Sequence, residues 1–262
     1  MDDRKARRAK LRLAGIGVLA GAVLTAGVIG VVVALDDDDE PKAPSAGPTA
    51  SSAKPSPSGS GKGGLWNPEM TPEKANTLTL SVPTGQKGGA STGFPHNAKG
   101  AVSAAVYFWE EYAFLDDQKA RQQLEAVVSP DAAGYIDEQI SEVRKTRETA
   151  GLPPSGPAPA GITFTMNVNA ARSTSIIVDG DTPGDVVQVW MDYDRYATGP
   201  DGGSDNDPLK GEAQDFIVKW QDGGWKLTNE PKYWKKRSSP VAYAPDSPYA
   251  TQDGWVQVQH AD

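Results

Sequence analysis

At ITFTMNVNA, residues 162–170, the hydrophobic period of the chain changes from about 3.6 to about 2. Ile162, Phe164, Met166, Val168 and Ala170 alternate with Thr163, Thr165, Asn167 and Asn169. Successive strand side chains point to opposite faces, so this is a half-buried strand with one wet face. Upstream, Val102, Ala105, Val106, Trp109 and Ala113 recur at helical spacing, which predicts a first helix from about Ala98 to Leu115. Asn97 is its expected N-cap. A second helix is expected over Gln118–Val128. A third should start with Ser129 as N-cap and Pro130 at its first position, bury Ala133, Ile136, Ile140 and Val143, and stop at Gly151 before Pro153–Pro154.

Downstream the strand pattern continues. Ser175–Val178 reads as a second strand. Val186–Tyr196 reads as a third, with Val187, Val189, Met191 and Tyr193 on one side. Lys210–Gln221 is a fourth, and Trp225–Thr228 returns through a hairpin turn at Gln221-Asp222-Gly223-Gly224. Helices followed by antiparallel strands define an α+β domain, with helices packed on one face of a curved antiparallel sheet. Trp109, Trp190, Trp220 and Trp225 are its expected core aromatics. Residues 65–97 read as loop with a short strand at Thr77–Val82, and Gly254–Gln259 as a late edge strand.

The N-terminal quarter has a different character. Six basic residues lie within positions 1–12, and Leu13 to Leu35 is a run of 23 residues without a charge. At 1.5 Å per residue the run reaches roughly 34 Å, enough for a hydrocarbon core of about 30 Å. Asp36–Asp39 and Glu40 follow directly. Basic before and acidic after predicts a retained single span with the N-terminus in the cytoplasm. A cleaved signal peptide would have a shorter apolar region and a small-x-small site, where this chain has VVVAL-DDDD. Gly17 and Gly21 could form a close-packing face, but Gly and Ala are common in spans. Residues 36–64 form a disordered linker: of the 24 positions 41–64, 16 are Pro, Ser or Gly, so nothing there buries a core. The predicted order is therefore tail 1–12, span 13–35, linker 36–64 and an extracytoplasmic domain over 65–262, with its core at about 90–230.

The chain has no cysteine and two histidines, and its net charge is −8. That excludes a disulfide scaffold, a thiolate metal site and a cysteine nucleophile, and it leaves no histidine-rich centre. No metal or cofactor is expected. The domain carries 17 basic against 27 acidic residues, the wrong balance for a nucleic-acid partner.

The helix-then-sheet order resembles the cone-shaped fold of the nuclear transport factor 2-like superfamily. FIVKWQDGGWKLTNEP (Phe216–Pro231) looks like the terminal hairpin of that fold. GFPHNAKGAVSAAVYFWEEYAF (Gly93–Phe114) is similar to a G-x-P-H-x-x-x-G-A-V-x-A-A segment of membrane-anchored actinobacterial proteins, some from conjugative elements. Span, tether and cone together resemble inner-membrane scaffold proteins of type IV secretion, the TcpC type of Gram-positive conjugation. Those can carry two cones, and this chain has room for one. The resemblance implies a non-enzymatic assembly component whose partners are the membrane, other secretion-complex proteins, further copies of itself or a cell-wall polymer. Related cones also include isomerase-like and cyclase-like enzymes with an Asp or His base inside the cone, and a wall-binding or sensor module is a third class.

Candidate residues are few. His96 reads as a loop residue that fixes entry into the first helix more readily than as an acid/base. Asp192 and Asp194, beside Tyr193 and Tyr196, are the positions for a cone-fold base, but they alternate with the apolar set and are expected on the wet face. Asp179, Asp181, Asp185, Asp201, Asp205 and Asp207 lie in Gly-rich loops without calcium-loop spacing. The first helix holds more aromatics than one buried stripe needs, so Tyr107, Phe108, Tyr112 and Phe114 are expected at an interaction surface with His96. The segment Tyr233, Trp234, Lys235, Lys236 and Arg237 is the second expected contact.

Overall fold

The computed structural model describes residues 66–199, 203 and 205–261. The expected span and linker lie outside the described residues. Among the described residues, no helix is long and apolar enough to cross a membrane.

The domain is α+β. Short strands β1 (Leu78–Thr79), β2 (Gly85–Lys87) and β3 (Ala90–Thr92) precede helices α1 (Ala98–Glu111), α2 (Asp117–Val127) and α3 (Tyr135–Thr149). Then come β4 (Thr163–Ser175), β5 (Val186–Thr198), β6 (Leu209–Gln221) and β7 (Gly224–Leu227). Two short helices, α4 (Pro231–Trp234) and α5 (Pro248–Gln252), lead to β8 (Val256–Gln259). The main sheet has the order β1-β8-β4-β5-β6-β7 and is antiparallel except where β1 pairs with β8. Bulges at Val168/Ala170 and Tyr193/Arg195 break the register of the two long pairings. An extra residue bends a strand and raises its twist, and the sheet is strongly curled.

Local chemistry explains the element ends. The Asn97 side chain accepts a hydrogen bond from the Gly100 N–H at 2.9 Å, capping α1 as expected. Gly100 is required there: a Cβ would lie 1.9 Å from the Pro95 carbonyl oxygen. Asp116 caps α2 through the Lys119 N–H. At the β6–β7 turn Asp222 has φ 52° and Gly223 φ 75°, the left-handed pair that a two-residue hairpin needs.

Several expectations are corrected. Ser129 does not cap the third helix. Its N–H donates to the Leu227 carbonyl and its hydroxyl to Gln221 Oε1, which ties this turn to the β6–β7 hairpin, and α3 starts only at Tyr135. The first expected strand runs on to Ser175 as β4, and Ile176–Val178 of the second expected strand lie outside any strand. The stretch expected as loop before α1 contains the β2–β3 hairpin. The expected edge strand β8 is interior, inserted between β1 and β4.

The main core lies between the helices and the sheet. Val102, Ala105, Val106, Phe108 and Trp109 of α1 meet Val187, Val189, Met191 and Tyr193 of β5 and Phe216 and Val218 of β6. The second sheet face is wet at the start of β4, where Thr163, Thr165 and Asn167 are exposed as expected, but covered further along. The segment after β7 crosses it and builds two smaller clusters, Ile176, Val186, Ile217 and Tyr233 in one, and Ala170, Ala250 and Trp255 in the other.

Candidate functional site

Both histidines sit at the ends of α1, each beside a carboxylate. At the N-terminal end, His96 Nε2 lies 2.7 Å from Asp185 Oδ1 of the β4–β5 loop. The imidazole stacks flat on Trp220, with centroids 4.2 Å apart and an interplanar angle of 3°. Trp225, the cross-strand partner of Trp220, presents its ring to the edge of His96 and donates its Nε1–H to the Pro95 carbonyl. His96 remains well exposed, but its Nε2 and its ring already have protein partners. It pins the loop before α1 to the terminal hairpin.

Near the other end, Glu110 Oε2 lies 2.8 Å from His260 Nε2, and Glu110 Oε1 accepts the Val168 N–H at the β4 bulge. Tyr107 meets the His260 ring edge-on, so the expected contact role of Tyr107 is taken up by the C-terminal end of the chain. Burial raises the Glu110 carboxyl above the ordinary carboxylate range, and the Val168 N–H and His260 oppose that shift. Sequence alone misses this pair. The two residues lie far apart in the sequence, and nothing in the local pattern around either points to the other.

The aromatics expected on the surface of α1 are mostly core. Phe108, Tyr112 and Phe114 are 2, 3 and 6% exposed. Phe108 packs edge-on against Phe216, Phe114 against Phe164, and Trp109 against Tyr193. They are covered because the sheet curls around α1, so more than one stripe of the helix meets protein. Side chains thus fill the space between helices and sheet. Between β3 and β7 a small recess of about 50 Å³ is lined by Phe94, Phe108, Val218, Trp225 and Leu227. Ligand sites commonly measure about 300–1,000 Å³.

Asp192 is also buried, at 7% exposure, under the C-terminal segment. It accepts a hydrogen bond from Asn169 Nδ2. Burial raises its carboxyl, and nearby Asp194 and Glu212 push in the same direction. It lies on the face opposite Met191 and Tyr193, away from the helices. Asp194 accepts from the Tyr196 hydroxyl and the Gly211 N–H.

The KYWKKR segment divides in two. Tyr233 is fully buried and its hydroxyl donates to Asp181. Arg237 lays its guanidinium 3.3 Å from the Trp234 ring centroid and reaches Asp215 at 3.3 Å. Tyr233, Trp234 and Arg237 thus hold the segment to the sheet, and Lys232, Lys235 and Lys236 are the exposed part. Among the described acidic loop residues, Asp181, Asp185 and Asp205 are engaged by Tyr233, His96 and the Ala197 N–H. No group of three or more metal-ligating side chains occurs among the described residues.

No family model, no curated protein and no solved structure matches this chain.

Proposed function

We propose that this protein is a membrane-anchored, extracytoplasmic assembly module of the nuclear transport factor 2-like cone type, a scaffold part of a conjugative type IV secretion apparatus. The observation that carries the non-catalytic part is the filled interior. Phe108, Trp109, Tyr112, Met191, Tyr193 and Phe216 are buried together where a cone-fold enzyme keeps its substrate cavity. Asp192, the position for a base, faces the C-terminal segment instead. The anchor part rests on the uncharged run 13–35 between a basic tail and an acidic cluster. The secretion part rests on the resemblance of Gly93–Phe114. Two measurements test the proposal. Protease added to intact protoplasts should remove most of the chain and leave only the tail and span. Crosslinking in cells should then join the domain to membrane proteins of a transfer apparatus. A chain protected from external protease, or crosslinked only to wall polymer, overturns it.

A further inference from the structure

The segment from 231 to 255 forms an outer layer over the second face of the sheet, and three of the five exposed large hydrophobic residues among those described lie on it or against it. Trp66, Val241 and Tyr249 are 42, 39 and 58% exposed. All three gather at α5. Tyr249 belongs to that helix. The Asn67 N–H donates to the Gln252 carbonyl at 2.7 Å, and Gln252 Nε2 donates to the Pro68 carbonyl. Val241 bonds through its N–H to Asp253 Oδ2 and through its carbonyl to Trp255 Nε1–H. The same layer carries Lys232, Lys235 and Lys236, all exposed. Of the nearby carboxylates, Glu230 lies 3.5 Å from the Lys232 ammonium, Asp181 also attracts it and accepts from the Tyr233 hydroxyl, and Asp253 is paired with Arg172, while Asp246 is exposed. In a domain with 27 acidic and 17 basic residues, three lysines on the layer that also carries the open aromatic rings run against the overall charge.

We propose that this layer rests on an anionic lipid surface, with Trp66 and Tyr249 at headgroup level and Lys232, Lys235 and Lys236 over the phosphates. Trp and Tyr favour that zone because each has an apolar body and a polar tip. Lysines near an anionic surface add attraction that falls off within a Debye length. The path of the chain selects lipid over a protein partner. The chain enters the domain at this layer, through Trp66 and Asn67. The residues before it are the 24-residue Pro, Ser and Gly run and, further back, the uncharged run 13–35. From its composition, a run of that length is expected to reach roughly 27 Å. The inference rests on the anchor reading above.

The lack of cysteine makes the test direct. In the full chain, Tyr249→Cys and, separately, Val82→Cys are labelled with an environment-sensitive fluorophore. Val82 is 58% exposed and lies beside α1, where the Ser81 N–H meets Ser103 Oγ, on the helix side of the sheet. The chains are reconstituted in vesicles of phosphatidylglycerol with phosphatidylcholine, or of phosphatidylcholine alone, containing doxyl lipid. Quenching at position 249 should exceed that at 82 when phosphatidylglycerol is present. Lys235→Glu with Lys236→Glu, or high salt, should abolish the excess, each lysine contributing roughly fivefold to surface association. Equal quenching at the two sites, or quenching at 249 that ignores lipid charge, overturns the inference. So does a label shielded by anionic wall polymer but blind to doxyl lipid. Alkaline carbonate separates the two failures. Release of the chain from membranes sinks the anchor reading, and retention without quenching at 249 sinks the lipid contact alone.

Discussion

His96 lies face to face with Trp220 at 4.2 Å and in line with Asp185 at 2.7 Å, so one imidazole joins the entry of α1, the β4–β5 loop and the terminal hairpin. An aromatic pair adds about 0.5–1.5 kcal/mol beyond area burial, whereas an exposed ion pair adds less than about 1 kcal/mol. His96→Ala should therefore lower stability by about 1 kcal/mol in chemical denaturation. His96→Phe, which keeps the stack and loses the carboxylate contact, should recover most of that loss. If both variants are equally destabilised, the Asp185 contact is the dominant one.

Phe108 and Tyr112 test the distinction between core and contact surface. Phe108→Ala should cost about 3–5 kcal/mol, the usual range for a buried aromatic, and Phe108→Glu should prevent folding. Tyr112→Phe should behave in the opposite way. The Tyr112 hydroxyl is buried without a hydrogen-bond partner, and burial raises its pKa. Deleting an unpaired buried hydroxyl removes a desolvation cost of about 1–3 kcal/mol, so the variant should equal or exceed the parent in urea midpoint. A clear loss on Tyr112→Phe would show that the hydroxyl has a partner in solution.

Asp192 gives a pH signature. Its carboxyl titrates above the ordinary carboxylate range because of burial, so the folded state holds the proton more tightly than the unfolded chain does. The associated stability is fully present below the ordinary carboxylate pKa and is lost as pH rises through the raised one. Asp192→Asn keeps an acceptor for Asn169 and removes this loss. The variant should be more stable than the parent at neutral pH, and the two should converge in acid. Denaturation midpoints at both pH values check this, and a constant gap across pH would contradict it.

Arg237 and Asp215 form a charged tie between the C-terminal segment and the sheet, beside that of Asp253 with Arg172. Asp215 is 5% exposed and also accepts from Gln188 Nε2, yet burial still raises its carboxyl. Removing one partner of a buried pair leaves an uncompensated charge. Arg237→Met should therefore cost about 2 kcal/mol or more, and adding Asp215→Asn should restore much of it. Strictly additive losses in the double variant would mean the two groups do not interact.

The elements most readily read from sequence are those with local causes. Asn97 and Gly100 set the entry of α1, and the Asp222–Gly223 turn sets the last hairpin. The start of α3 is not legible in this way. Ser129–Pro130 is a good helix signal, but the Ser129 N–H and hydroxyl are taken by Leu227 and Gln221, far along the chain. Alternation correctly separates Asp192 from Met191 and Tyr193. It does not show that the second face is covered, because the covering segment after Thr228 has no regular period. Of the expected contact residues, Lys235 and Lys236 are free to act as such. Tyr233, Phe108, Tyr112 and Phe114 are held in the core, because residue type and spacing report amphipathicity and not what lies on the other side.

The pairing of β1 with β8 also has a mechanical meaning. Leu78 lies opposite Val258 and Thr79 opposite Gln259, with both strands running the same way. The Leu80 N–H adds a bond to the Gln259 carbonyl. If the chain before Trp66 is pulled while something holds the segment after β8, the two strands are drawn past each other along their length. Their hydrogen bonds then resist together, in shear, instead of opening one at a time like a zipper. The domain is thereby braced between the segment that leads into its helices and its last strand.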